Sequence, residues 1–344
     1  MPRTPPLPRK FRPTGGRIVA EMNARKARSL PENGHAAPVV DLGPLDGPHR
    51  EPTYATPGAR SRVFVGDCRE VLRSLAEVRD SKFDLVFADP PFNWNRAYDK
   101  WHDALPEREY LDFTYDWLTL CVRALRPGGS LWVNIPDDWA AEIVCFMKGR
   151  MDRKPGALLA MQNWCIWHYR FGQNTNARFI NSKVHALHFI KAGGINTWNP
   201  QDVLEVSDRA SIYGDQRTMN KNDGMPAGRR VPLDVWYGAY WGRIQGNNKE
   251  RRHQHDNQLP ETYLARVIRS TSNKGDLVLD PFLGSGTTGV VAHALGRKFV
   301  GVEFSAENAQ RAFDRIKSGL TRPLGADPIS TAIFPKRRTM REPR

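Results

Sequence analysis

The chain alternates between short apolar runs and longer stretches in which apolar residues recur every three or four positions. The short runs predict buried strands, and the amphipathic stretches predict helices. The predicted strands cover 62–65, 83–88, 130–135, 164–169, 184–190, 277–279 and 299–302. The predicted helices cover 68–78, 107–125, 137–148, 260–272, 286–295 and 306–320. Strands that alternate with helices predict an α/β fold with a doubly wound, mainly parallel sheet.

Both ends of the chain and one internal stretch lack this periodicity. Residues 1–60 are rich in proline, glycine and arginine and predict a disordered basic arm, with a short helix near 18–30. Residues 193–254 mix glycine, asparagine, arginine and aromatic residues, and 321–344 form a basic tail. The ordered chain is therefore expected in two parts, 61–192 and 255–320, on either side of the irregular stretch.

Composition narrows the class of protein. The net charge of +14 and the pI near 9.8 favour a polyanionic partner, nucleic acid first. The sequence has no run of roughly 20 apolar residues and no apolar secretory signal at its start, so we expect a cytoplasmic protein without a membrane partner. The four cysteines are widely spaced and form no C-x-x-C pair, which predicts reduced thiols.

A glycine-bearing loop follows the predicted strand 277–279. Residues 280–289 read Asp-Pro-Phe-Leu-Gly-Ser-Gly-Thr-Thr-Gly and lead into a predicted helix, as in nucleotide-binding α/β units. Glu303 ends the next strand 17 positions after Gly286, where an acidic residue commonly accepts hydrogen bonds from a ribose diol. The Gly-Lys-Ser/Thr of a phosphate-binding P-loop and the spacing of G-x-G-x-x-G are both missing. A tight turn without ligand is the alternative.

The second motif is Asp89-Pro90-Pro91-Phe92, directly after the predicted strand 83–88. Prolines lack an N–H group, so the carbonyls of this turn remain available as acceptors. The carboxylate and a neighbouring carbonyl can hold both hydrogens of an exocyclic amino group, and the phenylalanine can stack on the base that carries it. The alternative is a proline-stiffened turn with a core phenylalanine.

With these two motifs in this order, the chain resembles the DNA amino-methyltransferases that depend on S-adenosyl-L-methionine, in particular their permuted beta group. The resemblance covers roughly residues 62–320 and implies a seven-stranded, Rossmann-like methyltransferase sheet. It makes 61–192 the catalytic half, 193–254 an inserted target-recognition region and 255–320 the cofactor-binding half.

The resemblance also assigns residues. The segment from His255 to Pro260 is similar to a further family signature but departs from it at 256, 257 and 259. The implied catalytic residues are Asp89, Pro90, Pro91 and Phe92. The implied cofactor-binding residues are Asp67, Cys68, Gln258, Pro260, Asp280, Phe282, Gly284, Ser285, Gly286, Thr287, Glu303 and Phe304. Among these, Glu303 would bind the ribose hydroxyls, Phe304 the adenine ring and Asp67 the adenine amino group.

The same resemblance favours a target base. Aspartate at the first catalytic position is typical of adenine-specific enzymes, although tyrosine is commoner where this chain has Phe92. We therefore expect methylation of the 6-amino group of adenine in double-stranded DNA, with the 4-amino group of cytosine as the alternative. Methylation of cytosine carbon 5 needs a cysteine nucleophile, usually in Pro-Cys, which is absent. A catalytically silent DNA-binding module and RNA or protein methylation are further alternatives.

Contacts to DNA are expected mainly from the irregular stretch, because a base flipped out of a duplex needs the flanking DNA to be held. Arginines there can bind phosphates or guanine edges, and they alternate with aromatic residues. The predicted DNA-binding residues are Asn93, Arg209, Arg217, Arg229, Arg230, Trp236, Arg243 and Arg251. An ordinary basic loop with core tryptophans is the alternative for this stretch, and loop packing for Asn93.

The sequence says less about metal ions and about protein partners. His253 and His255 have no third ligand at a familiar spacing, so no metal site is expected. DNA binding would associate the protein with the nucleoid. A homodimer and a companion restriction endonuclease are left open by the sequence.

Overall fold

The computed structural model describes residues 38–45, 47–96, 101–169, 175–211, 213–215, 226–237, 241–242, 244, 248–252, 258–321 and 324. The helix predicted near 18–30 and the basic tail beyond 324 lie outside the described residues. Within the described residues, no helix is long and apolar enough to cross a membrane.

The first part of the described chain begins with two short strands and continues with alternating helices and strands. Its elements are β1 (Tyr54–Ala55), β2 (Ser61–Val65), α1 (Cys68–Ser74), α2 (Ala76–Arg79), β3 (Phe83–Ala88), α3 (Glu107–Ala124), β4 (Leu125–Ile135), α4 (Asp137–Met147), β5 (Leu159–His168) and β6 (Lys183–Lys191). A 3-10 turn, Pro57–Ala59, joins the first two strands.

The rest of the chain has short elements first and regular ones afterwards. The elements are β7 (Glu205–Val206), α5 (Asp208–Ser211), β8 (Arg229–Arg230), β9 (Val235–Trp236), α6 (Glu261–Thr271), β10 (Leu277–Asp280), α7 (Thr287–Ala294), β11 (Lys298–Glu303) and α8 (Ala306–Ser318). A second 3-10 turn, Pro200–Val203, precedes β7.

Two predicted elements differ from the structure for local reasons. The helix expected over 68–78 divides into α1 and α2, because Leu75 is extended with φ −86° and ψ 125°. The strand predicted at 130–135 begins earlier, at Leu125, and residues 127–129 form an irregularity within β4, where the register against β3 shifts between Phe83 and Leu85. Gly128 has φ +79° there, and a Cβ would come within 2.3 Å of the Ile195 carbonyl oxygen. Only glycine fits this close approach of two backbones.

Nine described strands form the main sheet in the order β1-β2-β11-β10-β3-β4-β6-β5-β9, and seven of them have four or more residues. Strands β2, β11, β10, β3 and β4 are parallel, while β6 runs antiparallel to both β4 and β5. The two-residue strands β1 and β9 pair at the edges. The predicted mainly parallel, seven-stranded α/β sheet is therefore confirmed.

The direction of winding reverses between β3 and β10. From β3 the chain passes through α3 to β4 on one side, and from β10 through α7 to β11 on the other. Because such crossovers are right-handed, α3 and α7 lie on opposite faces of the sheet. In doubly wound sheets this reversal leaves a crevice at the carboxyl ends of the two strands. Asp89 follows β3 and Asp280 ends β10.

The predicted boundary of the disordered arm at residue 60 is wrong for its last part. Val40 is buried, and its N–H group donates to the carbonyl of Lys154. Strand β1 pairs with β2, and the ring of Tyr54 stacks on Phe313 with centroids 5.4 Å apart. Periodicity missed this segment because it crosses the domain as single contacts and a two-residue strand.

Candidate active site

A cavity of about 1090 Å³, including its open mouth, lies at the crevice between β3 and β10. Residues that follow β2, β3, β10 and β11 form its walls, so four strand ends contribute to one site. Phe92 and Gly284 lie 192 positions apart in the chain, and both line it. The predicted site residues that line this cavity are Asp67, Cys68, Asp89, Pro90, Pro91, Phe92, Asp280, Phe282, Gly284, Ser285, Thr287, Glu303 and Phe304.

Asp89 is half-buried, with part of its surface facing the cavity. Burial raises the pKa of its carboxyl group to about 7, a hydrogen bond from Asn134 acts in the opposite direction, and the charge of Asp280 adds to the increase. Asn134 Nδ2 donates to Asp89 Oδ1 at 2.7 Å. The other oxygen, Oδ2, accepts no hydrogen bond from the described residues and remains available to a substrate.

The turn at residues 89–92 is predicted to be catalytic and is called the catalytic turn below; its carbonyl groups differ in their hydrogen bonds. The hydroxyl of Tyr110 donates to the Pro91 carbonyl at 2.6 Å, and Nε1 of Trp139 donates to the Phe92 carbonyl at 2.9 Å. No group in the described part of the chain donates to the Pro90 carbonyl. The turn is therefore held at its second half and keeps one free acceptor beside Asp89.

Residues after the catalytic turn are arranged around Asp103. Its buried carboxylate accepts hydrogen bonds from three backbone N–H groups, those of Asn93, Trp94 and Arg96. The side chain of Asn93 donates to the carbonyl of Leu105 and accepts from its N–H group. Because both ends of this amide bond its own loop, the structure favours loop packing over the predicted DNA contact of Asn93.

The glycine loop is held by Glu303 from the neighbouring strand. Oε2 of Glu303 accepts the N–H group of Gly284 at 2.8 Å, and Oε1 accepts that of Ser305 at 3.0 Å. Desolvation raises the pKa of Glu303, although hydrogen bonds from this loop and from Asn308 partly offset the increase. A ribose bound here would share the carboxylate with these donors or replace the Asn308 side chain, which also lines the cavity.

Gly286 shapes the loop without lining the cavity. It has φ +80° at the start of α7, and a Cβ would lie 3.0 Å from the backbone of Ala312. Its absent side chain lets α7 and α8 approach each other. Its predicted role in binding is thus replaced by one in positioning the loop.

Arg315 supports the glycine loop from below, and the sequence interpretation missed it. Its Nη1 donates to the Ser285 carbonyl at 3.1 Å and to Thr287 Oγ1 at 2.8 Å. Its Nη2 pairs with the carboxylate of Glu261 at 3.0 Å, and both side chains are almost fully buried. An arginine among the core-facing positions of an amphipathic helix, beside Ala312 and Ile316, was the available signal.

Asp67 and Cys68 stand where β2 ends. Asp67 caps α1 by accepting the N–H group of Arg69 at 2.8 Å, and it also pairs with that guanidinium group. Burial would raise the pKa of Asp67, but the hydrogen bonds and charge of Arg69 lower it below its usual value. Cys68 is buried, which raises its pKa well above the usual value and keeps the thiol protonated.

A second cavity, of about 390 Å³, adjoins the first. The two share Asp89, Phe92 and Leu259, so the catalytic turn separates them. The remaining residues around the second cavity are Trp94, Asn134, Trp167, Tyr169, Val184, Ile244 and Gln258. One cavity can hold a donor and the other an acceptor, with the Asp89 carboxylate at their junction.

The predicted cofactor contacts of Gln258 and Pro260 are not among the residues around the first cavity. The amide of Gln258 donates to the Glu250 carbonyl and accepts the N–H group of Arg252, so it closes a loop beside the second cavity. Pro260 is buried at the N-cap of α6. Leu259, which departs from the family signature, contacts both cavities instead.

Several predicted DNA contacts do not lie on the surface. Trp236 is only 4% exposed and packs on Trp132 and Trp241, so its prediction as a DNA contact is wrong and the core-tryptophan alternative holds for it. Arg230 pairs with Glu205 and Asp208. Arg209 is exposed and pairs with Asp215, while Arg229 and Arg251 are half-buried. Arg217, Arg243, His253 and His255 lie outside the described residues.

The lining of the first cavity is acidic. Its lining within the described chain includes four carboxyl side chains and no lysine, arginine or histidine. Apolar and aromatic groups complete it, and the buried Nε1 of Trp101 has no hydrogen-bond partner among the described residues. Such a lining suits a cationic ligand with a flat, polar-edged ring and is unfavourable for the phosphates of a nucleotide. No group of three metal-ligating side chains occurs in the described parts of the chain.

Solved structures share this fold. The PvuII DNA methyltransferase, described as cytosine-N4-specific, superposes with a TM-score of 0.56 at 17% identity and covers 79% of this chain and 96% of its own. The M1.HpyAVI–SAM complex superposes with a TM-score of 0.51 at 19% identity, covering 74% and 98%.

Sequence comparisons give the family. Type II methyltransferase M.BamHI of Bacillus amyloliquefaciens is 34% identical over 260 residues, which cover 75% of this chain and 57% of that protein. DNA adenine methyltransferase YhdJ of Escherichia coli K12 is 31% identical over 252 residues, covering 72% and 80%. The family model described as DNA methylase, for N6 and N4 methyltransferases, matches residues 83–314. The chain therefore belongs to the N6/N4 DNA methylase family.

Proposed function

We propose that this protein transfers a methyl group from S-adenosyl-L-methionine to the exocyclic 6-amino group of adenine at a specific site in double-stranded DNA. The observation that carries the proposal is the position of Asp89, at the junction of an acidic cavity and a smaller aromatic one. An amino group in the smaller cavity would meet this carboxylate on its way to the donor.

The acidic cavity fits S-adenosyl-L-methionine, which is cationic and carries an adenosine. When bound, this cofactor supplies an electrophilic methyl group. The carboxyl groups of Asp67, Asp89, Asp280 and Glu303 favour its positive charge. Phe304 and Trp101, whose rings meet edge to face with centroids 6.5 Å apart, would contact its adenine, and the free Nε1 of Trp101 would gain a hydrogen-bond partner.

In the proposed mechanism the catalytic turn prepares the amino group. Asp89 Oδ2 and the Pro90 carbonyl accept its two hydrogens, which turns the nitrogen lone pair toward the first cavity. Phe92 borders both cavities and stacks on the base. The nitrogen would gain the methyl group as the carbon–sulfur bond of the donor breaks and a neutral thioether leaves; it would then lose one proton to water, and the carboxylate would stabilise the positive charge that develops. No metal ion and no covalent enzyme intermediate takes part.

Adenine is favoured over cytosine by the aspartate at the first catalytic position, and a relative of this chain is named a DNA adenine methyltransferase. The 4-amino group of cytosine is the competing target, since a structural neighbour is named cytosine-N4-specific. Methylated DNA digested to deoxynucleosides separates them: N6-methyl-2′-deoxyadenosine supports the proposal, and N4-methyl-2′-deoxycytidine overturns its choice of base.

Transfer of tritium from labelled cofactor to duplex DNA tests the activity itself. Label in DNA supports a methyltransferase, and cofactor and DNA binding without transfer would indicate the silent DNA-binding module. Parallel reactions with RNA and with protein measure the remaining substrate classes. Label that appears only in those samples would overturn the proposed substrate.

We place DNA on the side of the second cavity, where the β5–β6 hairpin emerges. The N–H group of Tyr169 donates to the Ser182 carbonyl at the neck of this hairpin, and Tyr169 and Val184 line the cavity. Beyond the neck, Phe179 is 97% exposed beside the exposed Ile180. An apolar side chain so placed can enter the stack when a base is extruded.

The proposed setting is the cytoplasm, with binding to the nucleoid through DNA. Single-molecule sequencing of DNA from cells that express the chain would identify the methylated base and its recognition sequence together. Sedimentation with and without a duplex would measure whether a homodimer forms, and digestion of unmethylated DNA by a neighbouring gene product would test for a companion endonuclease.

A further inference from the structure

Two consecutive hydrogen bonds, one buried and one partly buried, connect Tyr263 through Asn134 to the carboxylate of Asp89. Tyr263 on α6 donates its hydroxyl proton to Asn134 Oδ1 at 3.0 Å, and Asn134 Nδ2 donates to Asp89 Oδ1 at 2.7 Å. Asn134 lies near the end of β4, the strand that pairs with β3, so the sheet places it beside Asp89. The three residues lie 45 and 129 positions apart, and only the fold brings them together.

The surroundings of these side chains are apolar. Tyr263 is fully buried and meets the rings of Phe87, Trp167, Trp236 and Trp241. Asn134 is 1% exposed. An amide and a hydroxyl in such a place add little net stability compared with apolar groups of the same shape. Stability therefore does not explain why a polar amide and a hydroxyl occupy these buried positions. The hydrogen bond from Asn134 to Asp89 provides an explanation.

The donor and acceptor order of these two hydrogen bonds determines which protonation state of Asp89 is favoured. The tyrosine hydroxyl donates to the amide oxygen, so the amide must present its NH₂ group to the carboxylate. An NH₂ group only donates, and it therefore favours an ionised carboxylate. A flipped amide would present its oxygen, which could accept only from a protonated carboxyl group. A flip would also leave the buried hydroxyl proton of Tyr263 without an acceptor among the described residues, so this hydroxyl favours the orientation of Asn134 that keeps Asp89 charged.

The same contact leaves one oxygen for the substrate. Because Oδ1 of Asp89 accepts a hydrogen bond from Asn134, the carboxylate cannot rotate without losing this bond. Its Oδ2 accepts no hydrogen bond from any described residue. We propose that Asn134 and Tyr263 are positioning residues that hold the Asp89 carboxylate ionised and directed toward the target amino group. The inference deepens the proposed function and rests on it, because it assigns Asp89 the role of amino-group acceptor.

Other titratable groups around Asp89 must be separated from this effect. Among the described residues, the groups that act on it electrostatically are Asp280 from β10 and Tyr263 from α6. Asp280 is itself influenced by Glu303. A test therefore has to follow Asp89 and Asp280 individually.

The direct test is a carbon-13 NMR titration of the full chain labelled at the aspartate carboxyl carbons, with the two resonances assigned by D89N and D280N. Tyr263→Phe should raise the titration midpoint of Asp89 by about half a pH unit, and Asn134→Leu by about one unit, because a donor to the charged form is weakened or lost. Asn134→Asp has the same shape but adds a like charge, so it should raise the midpoint furthest. The Asp280 midpoint should stay within about 0.3 units in Y263F and N134L.

Kinetics provide the second measurement. In single-turnover methyl transfer to DNA with saturating cofactor, the rising limb of the pH profile should move up by about the same amount in each variant. For a one-unit increase from a midpoint near 7 the rate falls about fivefold at pH 7 and recovers above pH 9. The KM for the cofactor should not change in Tyr263→Phe, since Tyr263 does not line the first cavity.

Tyr115→Phe is the matched control. Tyr115 is also a buried tyrosine, but its hydroxyl has no hydrogen-bond partner in the structure and stands on α3, away from both cavities. Its removal should leave the Asp89 midpoint and the pH profile unchanged. Rates that fall equally at every pH in the Asn134 and Tyr263 variants, or an Asp89 midpoint that stays in place, would overturn the positioning role.

The two measurements also separate this inference from the proposed function. Wild-type protein that transfers no label to DNA overturns the function, while a shifted Asp89 midpoint in the same protein's variants still supports the hydrogen-bond chain. If the wild-type protein methylates DNA and the variants keep its Asp89 midpoint and its pH–rate profile, only the positioning role of Asn134 and Tyr263 is overturned.

Discussion

Two carboxyl groups at neighbouring strand ends look alike and are held differently. Burial raises the pKa of both Asp89 and Asp280 to about 7. Asp280 is hydrogen-bonded within its own loop: its Oδ1 accepts the N–H group of Phe282 at 2.9 Å. Asp89 bonds across the sheet to Asn134 and has an oxygen left for the second cavity.

The difference teaches that a raised pKa alone does not identify the reacting group. Asp280 is hydrogen-bonded within the loop that lines the first cavity, so in the proposed function its charge contributes to a binding surface. Asp89 borders both cavities and can act on a substrate that comes from the other side. Variants of each should therefore change different steps.

Asp89→Ala should have the largest effect. It removes the acceptor of the amino hydrogens and the charge that stabilises the methylated nitrogen, so single-turnover transfer should fall by about 10³-fold or more. Cofactor affinity should fall by about tenfold at most, the effect of removing one of the four carboxyl groups that line this cavity. Rapid-quench measurement of tritium transfer and calorimetric titration of the cofactor check this. A variant that methylates DNA at the wild-type rate would remove Asp89 from the mechanism.

Asp280→Asn should show the opposite pattern. The amide oxygen can still accept the N–H group of Phe282, but one negative charge is lost from the cofactor cavity. The Kd for the cofactor should rise by about tenfold, corresponding to roughly 1–2 kcal/mol, with single-turnover rates at saturation within about threefold of wild type. A large loss of rate at saturating cofactor would mean that Asp280 takes part in transfer, and the contrast with Asp89 would disappear.

The pH dependence sharpens the comparison. A carboxyl group with a pKa near 7 is mostly neutral at pH 6 and mostly ionised at pH 8, so a cationic cofactor should bind up to about tenfold more tightly at pH 8. The sign for stability is reversed: these raised pKa values favour the folded state most below about pH 4, and the contribution is lost as the pH rises through 7. Titrations at both pH values check the affinity, and D280N should show the shallower dependence.

Phe179→Ala should have the smallest effect and should leave both carboxyl groups unaffected. Phe179 stands on the β5–β6 hairpin, beyond the second cavity, and should contribute only to holding the opened duplex. The KM for DNA should rise by about three- to tenfold, while cofactor affinity stays at the wild-type value. Fluorescence of 2-aminopurine at the target position should report less base extrusion. The exposed Ile195, beyond the opposite end of β6, provides an Ile→Ala control away from this hairpin.

Local patterns were sufficient for the elements that meet at the crevice. The apolar runs before Asp89 and Asp280 predicted the strands that carry them. These inferences succeed because a buried strand and a glycine turn are specified by adjacent residues. The arm boundary was missed, since it depends on a few contacts with distant residues, and the helical periodicity did not reveal the extended backbone at Leu75 that divides the first helix.

The irregular stretch shows where residue type misleads. An arginine or a tryptophan in a region without periodicity can face DNA or the core, and the sequence offers no means to decide. Trp236 enters the sheet through β9 and is buried under Arg266, while Arg230 is occupied by two carboxylates. Pairing and burial of this kind arise only when distant elements pack.

What the sequence by itself determined is the set of reactive groups and the strand ends on which they stand, because short segments encode strands, turns and their terminal residues. Only the tertiary structure decided which neighbours those groups have. The bond from Asn134 to Asp89, the hydroxyl of Tyr263 behind it and the guanidinium of Arg315 under the glycine loop all join residues at least 28 positions apart. Such contacts depend on the order of strands in the sheet, which no local pattern of polarity contains.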